Sequence, residues 1–140
     1  MVTQEDLRSL AGKWKRLRRE QRQLEYLREK STALASTATD AVKVQTSVTN
    51  RSMMYADSVI DQEQIVEQAV EDLQPELSRV TKFTTTLPKG STERRVMELR
   101  YCKGYEWEDV ADIMSYSDSQ IFRAHRRVLK LLKKMTVDDS

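Results

Sequence analysis

Near the end of the chain, Ser119, Arg123, Arg126 and Lys130 recur at steps of four, three and four residues. On an α-helix that spacing stacks them on one face. A guanidinium can grip a guanine edge through two parallel N–H bonds, and an ammonium can neutralise a phosphate. Arg127, Lys133 and Lys134 flank the same face, so Arg123 to Lys134 holds six basic residues and no acidic one. With Ile121 as origin and about 100° per residue, Ala124, His125, Val128 and Leu132 fall on the opposite arc. One face is expected to pack and the other to meet a polyanion.

Other chemistry has little to draw on. His125 is the only histidine and Cys102 the only cysteine. There is no Gly-rich phosphate loop and no Cys/His spacing suited to a metal. An enzyme is therefore not expected, nor a cofactor. His125 reads as a core or hydrogen-bonded residue, and Trp14, Trp107 and the methionines as packing. A single cysteine excludes an internal disulfide. No apolar run approaches the roughly 18–20 residues of a membrane span, and "MVTQEDLRSL" lacks a basic-then-apolar signal sequence. A soluble, cytoplasmic protein without membrane contact is expected.

The basic face needs elements to hold it. Ser117 followed by Gln120 has capping-box spacing, so a helix is predicted over about 118–134. Before it, Trp107, Val110, Ala111 and Met114 fall at i, i+3, i+4 and i+7, one face of a two-turn helix. Ala111 is small where another helix could cross closely. Two short helices joined by Ser115-Tyr116-Ser117 match a helix-turn-helix, whose second helix would enter a DNA major groove. In that setting Arg123 could bond a guanine edge, and Ser119 and Gln120 could touch bases or phosphate. Asp118 could accept from cytosine or stabilise the helix start. Phe122, at the border of the two faces, could meet a thymine methyl or a neighbouring helix. Arg126, Arg127 and Lys130 read as phosphate contacts.

Upstream the pattern is a coiled coil. Leu10, Leu17 and Leu24 are seven apart, and Leu7, Trp14 and Gln21 form a companion row, predicting a helix over roughly 4–31. Ser31 to Ser52 is nine-twenty-seconds Ser or Thr, which reads as a connector over about 31–57. Val42, Val44 and Val48 there could form a short strand. The heptad returns at Val59, Val66, Leu73, Val80 and Leu87, with Val70 and Leu77 as companions and Ser58 with Asp61 as a capping arrangement. Pro75, off the stripe, is expected to kink or divide that helix. Lys13 to Lys30 holds eight basic and three acidic residues, whereas Asp57 to Glu76 holds seven acidic and no basic ones. An antiparallel pair would match these charges. Pro88 and Gly90 mark a boundary, Ser91 or Thr92 can cap a third helix through about Cys102, and Gly104 suits its exit. The fold expected is all-α. A helical hairpin or coiled coil over 1–87 is followed by a three-helix unit containing the helix-turn-helix, over 91–136.

The residues "ERRVMELRYCKGYEWEDVADIMSYSDSQIFRAHRRVLKLL" resemble the region-4 domain of bacterial sigma factors. They are more similar to the ArpU/RinA-like regulators of phages and prophages in Gram-positive bacteria. The likeness covers Glu93 to Met135 and extends weakly to "TDAVKVQTS". It implies that Ser117, Asp118, Ser119, Phe122 and Arg123 occupy the DNA-facing start of a recognition helix. It also implies a role in transcribing phage genes in a bacterial host. Glu106 stands where sigma factors often carry a Ser or Thr cap, which makes that helix start less secure. Nothing corresponds to a promoter-melting region.

Together these readings point to a sequence-specific regulator that binds double-stranded DNA, as a homodimer paired through its N-terminal helices. Two alternatives use the same features. One is a phage packaging protein resembling a small terminase. The other is an RNA polymerase-binding adaptor whose basic helix meets an acidic protein surface.

Overall fold

The structure is a computed structural model and describes residues 1–38 and 45–138. Among them there are five α-helices and no strand: α1 (Gln4–Ala38), α2 (Gln45–Thr85), α3 (Thr92–Met97), α4 (Trp107–Met114) and α5 (Asp118–Asp138). The all-α expectation holds, with a long helical pair ahead of three shorter helices. The chain divides into two compact units, Met1–Lys15 with Leu73–Ser140, and Arg16–Asp72.

A reciprocal cap opens α1. The Thr3 hydroxyl accepts from the Asp6 N–H at 3.2 Å, and the Asp6 carboxylate accepts from the Thr3 N–H at 3.0 Å. Two of the helix's otherwise unpaired groups are thereby satisfied. The helix runs past the predicted end at residue 31, and α2 starts well before residue 57. Most of the expected connector is therefore helical. It lacks Gly and Pro and is rich in Ala, so little in it opposes helix propagation. The proposed strand residues Val42 and Val44 lie outside the described residues, and Val48 falls within α2.

Pro75 neither ends nor divides α2, which continues to Thr85. Its ring lies on the exposed side. The hydrogen bond it cannot make is thus lost where water can replace the donor, while buried Leu73 and Val80 hold both flanks. The buried row of α2 also differs from the expected one. Val70 is exposed and Leu77 half-buried, whereas Gln62, Ala69 and Phe83 are buried. These last three belong to a second seven-residue series completed by half-buried Glu76. Two polar members hid that series from a search for apolar residues.

Partners explain the polar members. In the Arg16–Asp72 unit, the Gln62 amide donates to the Glu20 carbonyl at 3.0 Å and to the Glu20 carboxylate at 2.8 Å. Arg16 pairs with Asp72 at 2.9 Å, and Arg28 with Glu63 at 3.3 Å. In the other unit, Lys13 pairs with Glu76 at 2.7 Å and Arg79 with Asp6 at 3.3 Å. In each unit, later residues of α1 meet earlier residues of α2, so the two helices pair antiparallel there with the charge match read from the sequence.

The three shorter helices gather a separate core of Val96, Leu99, Val110, Ala111, Ile121 and Ala124, with Trp107 and Met114 packed against it. Each large member stabilises the unit by about 1.5–3 kcal/mol through burial. Ser91 caps α3 as expected, its hydroxyl accepting from the Arg94 N–H at 3.2 Å. The helix then widens into a π-helical turn over Glu98–Cys102, a local register change that the periodicity does not reveal. Gly104 follows at φ +78°, and a side chain there would meet the Trp14 ring at 2.5 Å. Glycine is required at that point on both counts.

Candidate nucleic-acid interface

The start of α5 is built by the box read from the sequence. The Ser117 hydroxyl accepts from the Gln120 N–H at 3.2 Å, and the Gln120 amide oxygen accepts from the Ser117 N–H at 2.9 Å. The Ser117 hydroxyl also donates to that amide oxygen at 3.2 Å. Both side chains are therefore committed to the cap, and only the amide NH2 of Gln120 remains free to reach outward.

The turn before the cap is tight. Ser115 closes α4 in the left-handed region at φ 56° and ψ 40°. The Tyr116 N–H donates to the Ala111 carbonyl at 3.1 Å and the Ser115 N–H to the Asp112 carbonyl at 3.2 Å, the paired bonds of a Schellman ending. Glycine is the usual residue at such a position, so Ser115 carries some backbone strain. At its other end α4 is preceded by Glu106 in the cap position, whose side chain makes no capping bond, in line with the departure noted in the sequence.

The faces of α5 sort as the wheel requires. Ile121, Ala124, Val128 and Leu132 are buried. Asp118, Ser119, Arg123, Arg126, Arg127, Lys130, Lys133 and Lys134 are exposed. Among the described residues, Arg123, Arg126 and Lys130 make no ion pair. Arg127 is different: it pairs with Glu93 of α3 at 2.7 Å. That bond holds the Glu93 carboxyl below its ordinary range. Phe122 is 42% exposed and leans on the Trp107 ring at 5.3 Å between centroids, so it both packs and faces outward.

A cluster of rings sets the inward flank of α5. The Tyr101 hydroxyl and His125 Nε2 are hydrogen-bonded at 2.6 Å. His125 also stacks on Tyr101 and meets Trp107 edge-on at 4.7 Å. The Arg100 guanidinium lies 4.7 Å over Trp107. Burial, and secondarily the Arg100 charge, push His125 down to about 4, while burial pushes the Tyr101 hydroxyl up. The pair is thus neutral near pH 7, and it fixes the rotation of α5 about its axis. Trp14 adds a brace by donating its ring N–H to the Tyr101 carbonyl at 2.7 Å. His125 has the hydrogen-bonded role expected of it, but its partners Tyr101 and Trp107 lie outside α5, where helical spacing does not point to them.

Among the described residues, the arrangement presents Arg123, Arg126 and Lys130 without an ion pair, beside the Ser119 hydroxyl and the Asp118 carboxylate, along a helix whose opposite face is anchored. Among the described residues, no helix is long and apolar enough to cross a membrane. Comparisons with protein-family models, with curated proteins and with solved structures each return no match.

Proposed function

We propose that the chain is a sequence-specific DNA-binding regulator of transcription, with α5 as the helix that enters the major groove. The observation that carries this reading is the capped α5 itself, whose Arg123, Arg126 and Lys130 are exposed and unpaired among the described residues. Ser119 and Arg123 lie in its first two turns, where base edges are read, and Arg126 and Lys130 sit where phosphates pass. Arg127 joins them on exchanging Glu93 for a phosphate. The likeness of Glu93 to Met135 to ArpU/RinA-like regulators supports a phage or prophage setting and a bacterial cytoplasm as the place of action. Two copies pair through the N-terminal helices.

Titration of a labelled duplex over a series of salt concentrations tests the reading. With about four phosphates neutralised by each α5, log K falls against log salt with a slope at least as steep as about −3.6. Salt-independent or absent binding rejects it. Light scattering reports the assembly: a ring of many subunits favours the packaging protein over a dimer. Capture of RNA polymerase in the absence of DNA favours the adaptor.

A further inference from the structure

We propose a second phosphate-binding site, resting on the DNA reading above, in the groove between the start of α3 and the end of α4. Lys89, Arg95 and Tyr116 line this groove together with Arg94, Glu98 and Ile113. Its charges are not balanced. Arg94 donates to the Glu98 carboxylate at 3.0 Å and to the Leu87 carbonyl at 3.3 Å, which cancels one cation against the single anion of the lining. Lys89 and Arg95 are exposed and make no ion pair among the described residues. The Tyr116 hydroxyl likewise has no hydrogen bond there. Two free cations and a neutral donor therefore converge on one concavity, a donor set that suits a phosphodiester.

The groove lies against the flank of the reading helix. Tyr116 directly precedes Ser117, the cap of α5. Arg127 of α5 bonds Glu93 at 2.7 Å, and Glu93 lies between Thr92 and Arg94 of the groove's lining. A duplex seated on Ser119, Arg123 and Arg126 runs one of its backbones along that flank, past the Tyr116 turn. Exposed Ile113 gives the groove an apolar patch, which suits a deoxyribose face rather than a base edge. The contact is thus independent of sequence. It fixes where α5 lies along the groove and leaves base choice to Arg123 and its neighbours.

The test compares the full chain with its Lys89→Gln/Arg95→Gln double variant, using a labelled 30-base-pair mixed-sequence duplex, a size of about three helical turns. Counted per bound subunit, two further phosphate contacts steepen the parent's salt slope from about −3.6 to about −5.4. The double variant returns to about −3.6 and, between 50 and 200 mM salt, loses roughly tenfold less affinity than the parent. Its melting temperature and the base preference selected from a random duplex library stay as in the parent. Hydroxyl-radical footprints lose protection on the backbone flanking the groove read by α5, and only there. Equal slopes and footprints for parent and variant overturn the second site while the DNA reading stands. A parent with no salt-dependent binding overturns both.

Discussion

Two stretches of this chain are equally rich in cations and use them in opposite ways. Along α1, Lys13, Arg16 and Arg28 each meet an acidic residue of α2 within 3.3 Å. Along α5, Arg123, Arg126 and Lys130 meet none among the described residues. The first set is matched by the acidic run Asp57 to Glu76, and the second has no such run to answer it. The net charge of +2 conceals the difference because an excess of carboxylates elsewhere, concentrated in Asp57 to Glu76, offsets the surplus on α5. A basic block therefore signals an external anion only after its internal complement has been counted. Exposed pairs such as Arg28–Glu63 add only about 0–1 kcal/mol, so the match along α1 sets which residues face each other more than it sets stability.

Substitutions can break this contrast. The largest effect is expected at Gly104, which lets Trp14 reach the Tyr101 carbonyl and so brace α5. Gly104→Ala combines a left-handed backbone with a clash on Trp14 and should cost on the order of 3 kcal/mol in denaturant unfolding, weakening DNA binding only as the fold is lost. Arg123→Ala should do the reverse. It removes about 1–3 kcal/mol of discrimination between duplex sequences and leaves the melting temperature alone, whereas Lys130→Ala weakens all duplexes alike. Lys13→Ala, the corresponding change on α1, should destabilise by about 1–3 kcal/mol, because it strands a largely buried Glu76 carboxylate. Duplex affinity should not change. If Lys13→Ala lowered affinity and spared stability, the contrast between the two helices would be lost.

Acid provides a milder perturbation. His125 is pushed from its ordinary 6.5 down to about 4, so it binds a proton more readily unfolded than folded. Its contribution to stability is whole above about pH 6.5 and is lost as pH falls through about 4. Chemical denaturation between pH 7 and 4 should show this loss, and His125→Gln should flatten that part of the profile. The smallest effect is expected at Ser115. Ser115→Gly relieves the left-handed strain at the α4–α5 turn and should raise stability by up to about 1 kcal/mol without altering affinity.

What could be read in advance follows from the range of each interaction. The cap of α5 and its two faces depend on residues within a few positions of one another, so Ser117, Gln120 and the Ile121-to-Leu132 stripe were legible. The buried series of α2 was not, because Gln62 and Glu76 are tolerated inside only through partners on α1, some forty to sixty residues away. The Ser/Thr-rich connector misled for a related reason. Its composition suggests a loop, yet without Gly or Pro nothing local stops the flanking helices from running into it. Ser115 occupies a place where glycine is usual, and the bond geometry alone marks it as a left-handed ending. In the groove beside α3 and α4, Lys89, Arg95 and Tyr116 carried no periodicity to single them out; only the folded chain brings them together.

If the exposed cations of α5 grip a duplex, counter-ions leave as it binds, and the salt dependence of binding by the full chain reads that release. Log K should fall linearly with log salt at a slope at least as steep as about −3.6, made shallower by about 0.9 per bound subunit in Lys130→Ala. A parent chain that binds no duplex, or binds with a slope near zero, would contradict it.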